Sequence, residues 1–218
     1  YEMLRSLVGS EMCIRDRARQ MAEWGTDGLF RRLEHGIPPR KRQALETMME
    51  RHVHCPATSS MGRLFDAVAF WCGFDGAAGC EGHAAMELES WAASLPEDGP
   101  EGDSYEWVMH EEGSLLELDW RPVLKALNDD LLAGVSRCRM ARKFHESLVN
   151  LVFDVAERFS QDRLVLGGGC FQNAFLLEGL MGMAQSRACV LSLPQRVPCN
   201  DGGISLGQAA AAVRQWKG

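Results

Sequence analysis

The strongest constraint on this chain is a glycine run set between an apolar strand and a helix: Leu164-Val165-Leu166-Gly167-Gly168-Gly169-Cys170-Phe171-Gln172-Asn173. Three successive glycines leave no side chains in the way, and Asn173 is a residue type that opens helices. Main-chain N–H groups and a positive helix N-terminus can then approach an anion such as a nucleotide phosphate. No Lys-Ser/Thr follows, so the run is not a Walker-type phosphate loop, and the strand–loop–helix context carries the reading. The plain alternative is a tight turn with Asn173 exposed. A second signal, Asn200-Asp201-Gly202-Gly203-Ile204, places a carboxylate before two glycines at the start of the final helix. A carboxylate on such a turn suits a divalent metal or a polar substrate, and an Asp there can equally be a helix N-cap.

Around these signals the chain alternates. Strand 163–166, helix 171–183, strand 188–192 and helix 201–216 form a β-α-β-α tail, which implies an α/β layer with a largely parallel sheet. Upstream, helices are expected at about 120–133 and 136–160. The second carries an apolar stripe of Phe144, Leu148, Leu151, Val152, Val155 and Phe159. Residues 105–110 and 115–118 read as two strands around Glu111-Glu112-Gly113, and 96–104 as a surface loop. An apolar helix spans 61–74 and another 82–93. Residues 18–52 read as two polar helices parted by Gly36-Ile37-Pro38-Pro39, with a loop over 54–60. Residues 1–17 stand apart: Ser10-Glu11-Met12-Cys13-Ile14-Arg15-Asp16-Arg17 looks like a translated sequencing-adapter remnant, with a genuine charged helix as the alternative.

A formal charge of −7 gives no broad electropositive footprint, and Arg31-Arg32 and Arg40-Lys41-Arg42 fit solvated helix faces, so no nucleic-acid partner is expected. No run of eighteen apolar residues occurs and the N-terminus lacks a signal-peptide core, so no membrane partner is expected either. Eight cysteines without a Cys-x-x-Cys pair point to a reducing cytoplasm, with Cys72, Cys138 and Cys189 as small buried hydrophobes.

Three segments together resemble one family. Pro56-Ala57-Thr58-Ser59-Ser60-Met61-Gly62-Arg63-Leu64-Phe65-Asp66-Ala67 is similar to a signature of the HypF carbamoyltransferases. Gly167-Gly168-Gly169-Cys170-Phe171-Gln172-Asn173 and Pro198-Cys199-Asn200-Asp201-Gly202-Gly203-Ile204-Ser205-Leu206-Gly207-Gln208-Ala209 are similar to two later ones. Glu81-Gly82-His83-Ala84-Ala85-Met86-Glu87-Leu88-Glu89 and Leu118-Asp119-Trp120-Arg121-Pro122 also look like family segments. The resemblance covers about residues 18–218. It implies the C-terminal part of the TsaD-like domain, an α/β lobe of actin/Hsp70-like ATPase (ASKHA) architecture that is incomplete at its N-terminal side. Such proteins make carbamoyl-adenylate from carbamoyl phosphate and ATP. They pass the carbamoyl group to a C-terminal cysteine of HypE, where it becomes a cyanide ligand of nickel–iron hydrogenase. Rival readings are an O-carbamoyltransferase acting on a small-molecule hydroxyl, a sugar-kinase-like ATPase, and a non-catalytic ATP-binding scaffold.

By the resemblance, Asp201 would be a ligand of a divalent metal, zinc or iron. Gly167, Gly168 and Gly169 would pass close to the nucleotide, and Asn173 would hydrogen-bond its sugar or phosphates. Asp66 and Gly79 would contact the ribose; Asp66 otherwise reads as an exposed helix residue. Thr58, Ser59, Ser60 and Arg63 could contact carbamoyl or phosphate oxygens, Ser60 and Arg63 being the catalytic candidates, though Ser60 is also a good N-cap. His52, His54 and Cys55 read as structural or exposed, and His145 as a satisfied interior histidine. Cys170 holds a small apolar position and is not a nucleophile. The family's His-x-x-x-His metal block is absent, so the chain reads as half an active site, inactive alone, whose remaining metal ligands would lie upstream. It would also expose apolar surface that normally meets another lobe.

Overall fold

The computed structural model describes residues 60–74, 79–95, 103–113 and 115–216, with scattered residues between 40 and 53. The expected foreign segment 1–17, nearly all of the polar helices 18–52, Thr58, Ser59, His52, His54, Cys55 and most of the loop 96–104 lie outside the described residues. The described elements are α1 (Met61–Cys72), α2 (His83–Ala93), β1 (Val108–Glu112), β2 (Leu115–Asp119), α3 (Arg121–Leu132), α4 (Arg137–Arg158), β3 (Arg163–Val165), α5 (Ala174–Ser186), β4 (Val190–Ser192) and α6 (Ile204–Trp216). The chain divides into two compact units, residues 1–147 and 148–218, the division falling within α4. No described helix is long and apolar enough to cross a membrane.

In the first unit α1 packs against α2 and α3. It is buried on all sides from Leu64 to Cys72, which explains why its sequence shows apolar residues beyond a single stripe. It stops at Cys72 rather than 74, because Gly73 N–H donates to the Phe70 carbonyl at 3.1 Å and Phe74 N–H to the Ala69 carbonyl at 2.9 Å. Helix α2 buries Ala84, Leu88 and Ala92, one residue per turn. Arg142 covers its end, the guanidinium donating to Ala92 O at 3.2 Å and, just past the helix, to Leu95 O at 2.6 Å.

The β1–β2 hairpin is antiparallel, with His110 opposite Glu117 and Glu112 opposite Leu115. It begins three residues later than the pattern from 105 suggests. Tyr105 is committed elsewhere: its N–H donates to Ser147 Oγ at 2.6 Å and its hydroxyl to Asp130 Oδ2 at 2.8 Å. Lys143 bridges the same cluster, 2.6 Å from Asp130 and 3.3 Å from Asp103. His145 is fully buried, its ring in T-shaped contact with Phe65 and Phe144. Its Nδ1–H donates to the Ala141 carbonyl at 2.8 Å, the satisfied interior role expected of it.

In the second unit β3 and β4 pair in parallel, Leu164 opposite Leu191, with α5 as the crossover between them. Leu176, Leu180 and Ala184 form the inward face of α5. Gly179 lets this helix approach closely, since an added Cβ would lie 2.9 Å from Val149 Cγ2. Phe159, expected in the stripe of α4, is exposed, and so are Val165, at 82%, and every residue of α6, up to Trp216 at 92%. Parallel strands are ordinarily covered on both faces, so two strands with an open flank leave apolar surface in view. Of the expected buried cysteines, Cys72 is buried, whereas Cys138 and Cys189 are half-buried.

Burial pushes the His145 imidazole down to about 4 from 6.5. The folded chain therefore holds it neutral while the unfolded chain takes up a proton below 6.5, so its contribution is complete above that pH and is lost on acidification. In denaturant titrations, the intact chain should lose about 2 kcal/mol more stability than His145→Asn between pH 6.5 and 5. Parallel pH dependences would refute this assignment.

Candidate functional site

The residues singled out in the sequence fall into two groups, one in each unit. In the first unit, Ser60 stands at the N-cap of α1 but makes no side-chain capping bond; its carbonyl instead accepts from Arg63 N–H at 3.2 Å and Leu64 N–H at 3.4 Å. Asp66 is not an exposed helix residue: it is 8% exposed, because α1 is enclosed on all sides. Burial raises its carboxyl above the usual range, and the Arg63 guanidinium works against that rise. Arg63 Nη1 lies 2.9 Å from Asp66 Oδ2, a contact across i,i+3 that orients the more exposed arginine. Gly79 is exposed, and its N–H donates to His83 Nδ1 at 3.1 Å, so this amide is engaged within the chain.

In the second unit the two glycine signals come together. Gly168 N–H donates to the carbonyl of Cys199 at 2.6 Å, tying the run after β3 to the turn that carries Asp201. Gly168 takes φ +116, a conformation that suits glycine, and a short 3-10 turn, Gly169–Gln172, leads into α5. An added Cβ at Gly167, Gly168 or Gly169 would meet nothing within 4 Å, so the outer face of the loop is open. Asn173 is not exposed; at 8% exposure it is the N-cap of α5, its Oδ1 accepting from Leu176 N–H at 2.8 Å. Cys170 is half-buried and burial pushes its thiol up, which keeps it protonated and unsuited to nucleophilic attack.

Asp201 is not a cap. That role belongs to Asn200, whose Oδ1 accepts from Gly202 N–H at 3.1 Å, and the Asp201 carboxylate is left exposed at the head of the 3-10 turn Asp201–Gly203. Asn before Asp-Gly-Gly is a turn signal that could have pointed to this. Nothing in the spacing announced the contact of His83 with Gly79. Among the described residues no three His, Cys, Asp or Glu side chains gather as a metal site. One exposed carboxylate is a fitting hard ligand but does not by itself make a metal centre.

The turn is held tightly. A Cβ at Gly203 would lie 2.7 Å from the Pro198 carbonyl and 2.9 Å from Val197 Cγ1. Gly203→Ala should therefore cost on the order of 1–3 kcal/mol in stability and shift the amide resonances of residues 197–203. Unchanged spectra and melting temperature would show that the turn is not held this way.

Comparison with known proteins places these loops in a family. A family profile described as the second subdomain of the Kae1-like domain of carbamoyltransferases matches residues 4–208. The carbamoyltransferase HypF of Synechocystis is 36% identical over 159 residues, 73% of this chain and 20% of that protein. A HypF homologue of Cupriavidus necator is 34% identical, over 87% of this chain and 49% of that protein. The chain thus spans between a fifth and a half of these curated relatives. A crystal structure of full-length HypF in a phosphate- and nucleotide-bound form superposes with a TM-score of 0.78 at 29% identity, covering 96% of this chain and 26% of that one. HypF of T. kodakarensis shares the fold, with a TM-score of 0.66 at 20% identity. With an α/β fold, the sequence blocks in order and the matched profile, the chain belongs to the HypF family, as the second subdomain of its Kae1-like carbamoyltransferase domain.

Proposed function

We propose that this chain supplies the nucleotide-facing part of a carbamoyl-transfer site, acting on carbamoyl-adenylate made from carbamoyl phosphate and ATP. The observation that carries this reading is the Gly168–Cys199 hydrogen bond of 2.6 Å, which sets an open glycine loop beside an exposed carboxylate. A relative bound to phosphate and nucleotide supports it. The acceptor is the C-terminal cysteine of a HypE-type protein, whose carbamoyl group becomes a cyanide ligand of nickel–iron hydrogenase. The setting is the cytoplasm, with no nucleic-acid or membrane partner.

In the transfer step, the acceptor thiolate attacks the carbamoyl carbon. A C–S bond forms, the C–O bond to the adenylate phosphate breaks, and AMP leaves with the electron pair. The backbone of Gly167, Gly168 and Gly169 lies along the phosphates, where no Cβ holds the nucleotide off. Asn173, its oxygen engaged by the helix, sets where the loop ends, beside the sugar or phosphates of the nucleotide. Arg63, steadied by Asp66, is the group suited to carbamoyl or phosphate oxygens, with Ser60 at the start of the same helix. Asp66 in that role holds the arginine in place of the ribose. Asp201 is a candidate ligand for zinc or iron, the further ligands coming from outside the described residues, and the role of such an ion when bound would be to polarise the carbamoyl carbonyl.

An alanine methyl at 169 meets no protein atom, so it separates folding from ligand contact. With this chain exchanged for the matching segment of the Synechocystis relative, Gly169→Ala should leave the melting temperature in place and weaken ATP binding about tenfold or more, about 1.4 kcal/mol. Asp201→Ala should abolish carbamoyl transfer to HypE, followed as a mass increase of the acceptor. Full ATP affinity in the first variant and full transfer in the second would sink the site assignment.

A further inference from the structure

Helix α4 changes its partners within two residues. Before the change it is held by the first unit: Arg142 donates to the end of α2, and Lys143 Nζ reaches Asp130 at 2.6 Å and stands 4.6 Å from the centre of the Tyr105 ring. Leu148 opens the second unit, where Val149 lies against Gly179 of α5 and the Arg187 guanidinium stands 5.6 Å from the Phe153 ring. At the change is Ser147, fully buried. Its Oγ accepts from the Tyr105 N–H at 2.6 Å, and its hydroxyl donates to the Lys143 carbonyl at 2.5 Å. That carbonyl is the one an α-helix gives to the N–H of residue 147 itself. Two donors on one carbonyl weaken the ladder bond, and a serine hydroxyl turned back onto the fourth residue before it commonly bends a helix. Rotating the hydroxyl away would leave the Tyr105 N–H, on a buried residue, without its acceptor, so the arrangement is held in place.

We propose that Ser147 is a hinge built into α4: its hydroxyl, fixed by the Tyr105 amide, competes for the Lys143 carbonyl and loosens the helix where its partners change. The N-terminal half of α4 then opens with the first unit and the C-terminal half with the second. The second unit, with its glycine loops, can loosen without drawing the first unit with it. The hinge is independent of the carbamoyl-transfer reading and holds for whatever ligand those loops take.

The test is native-state amide hydrogen exchange of the whole chain, followed residue by residue by NMR. The ladder bonds that cross Ser147 belong to the N–H groups of residues 147–151. In the intact chain these should be about tenfold less protected than residues 141–145 and 152–156 of the same helix. Ser147→Ala frees the Lys143 carbonyl but strands the Tyr105 N–H, whereas Ser147→Cys frees it and keeps a weak acceptor for that N–H. In Ser147→Cys, protection at 147–151 should rise toward that of the neighbouring turns, with Ser147→Ala as the check against a misfit of the larger sulfur. Even protection along α4 in the intact chain overturns the hinge. A dip that persists in both variants, or protection lost along the whole helix in both, overturns the part given to the hydroxyl.

Discussion

One backbone hydrogen bond, from Gly168 N–H to the Cys199 carbonyl, organises the second unit. It joins two loops that are distant in the chain through a backbone N–H and a backbone carbonyl, so the side chain at 199 is of little consequence to it. What surrounds it serves the same end. Asn173 and Asn200 each turn a side-chain oxygen to a backbone N–H, one opening α5 and the other closing the turn at Asp201. Gly203 lies where no larger residue fits. Once these groups are satisfied, the Asp201 carboxylate is left exposed at the head of its turn.

The first unit is built around buried and half-buried charge. Asp119 receives Arg121 through Nε at 2.7 and 2.8 Å and through the Arg121 backbone N–H at 2.9 Å, which fixes the passage from β2 into α3. These bonds hold its carboxyl below the usual range in spite of burial. Asp130 collects Tyr105 and Lys143, and that cluster brings the segment before β1 onto α4. Enclosed ion pairs of this kind add little net stability after desolvation, but they specify geometry, because leaving one partner alone is costly. The pair Arg63–Asp66 follows the same logic at the candidate site.

The fold class and the tail elements were legible because their signals are local. An apolar strand, a glycine break and a helix-opening Asn are read within ten residues, and β3, α5, β4 and α6 lie where that reading put them to within a few residues. The boundary errors arose where a long-range bond overrode a local pattern. Tyr105 has good strand character, yet it is bonded to Ser147 and Asp130. Phe159 continues the stripe of α4 but lies past its last residue, Arg158, and is exposed.

The sequence by itself determined the α/β class, the order of the elements and the family, since periodicity, glycine placement and ordered motifs are properties of neighbouring residues. Only the tertiary structure decided what the polar site residues do. Asp66 reads as exposed on a helix until that helix is enclosed, Asn173 is buried as the cap of its helix, and the capping bond that Asp201 could have made is made by Asn200. A hydrogen bond is a contest among all donors and acceptors within about 3 Å. Which of them lie that close is settled by packing, and a linear string of residues does not contain it.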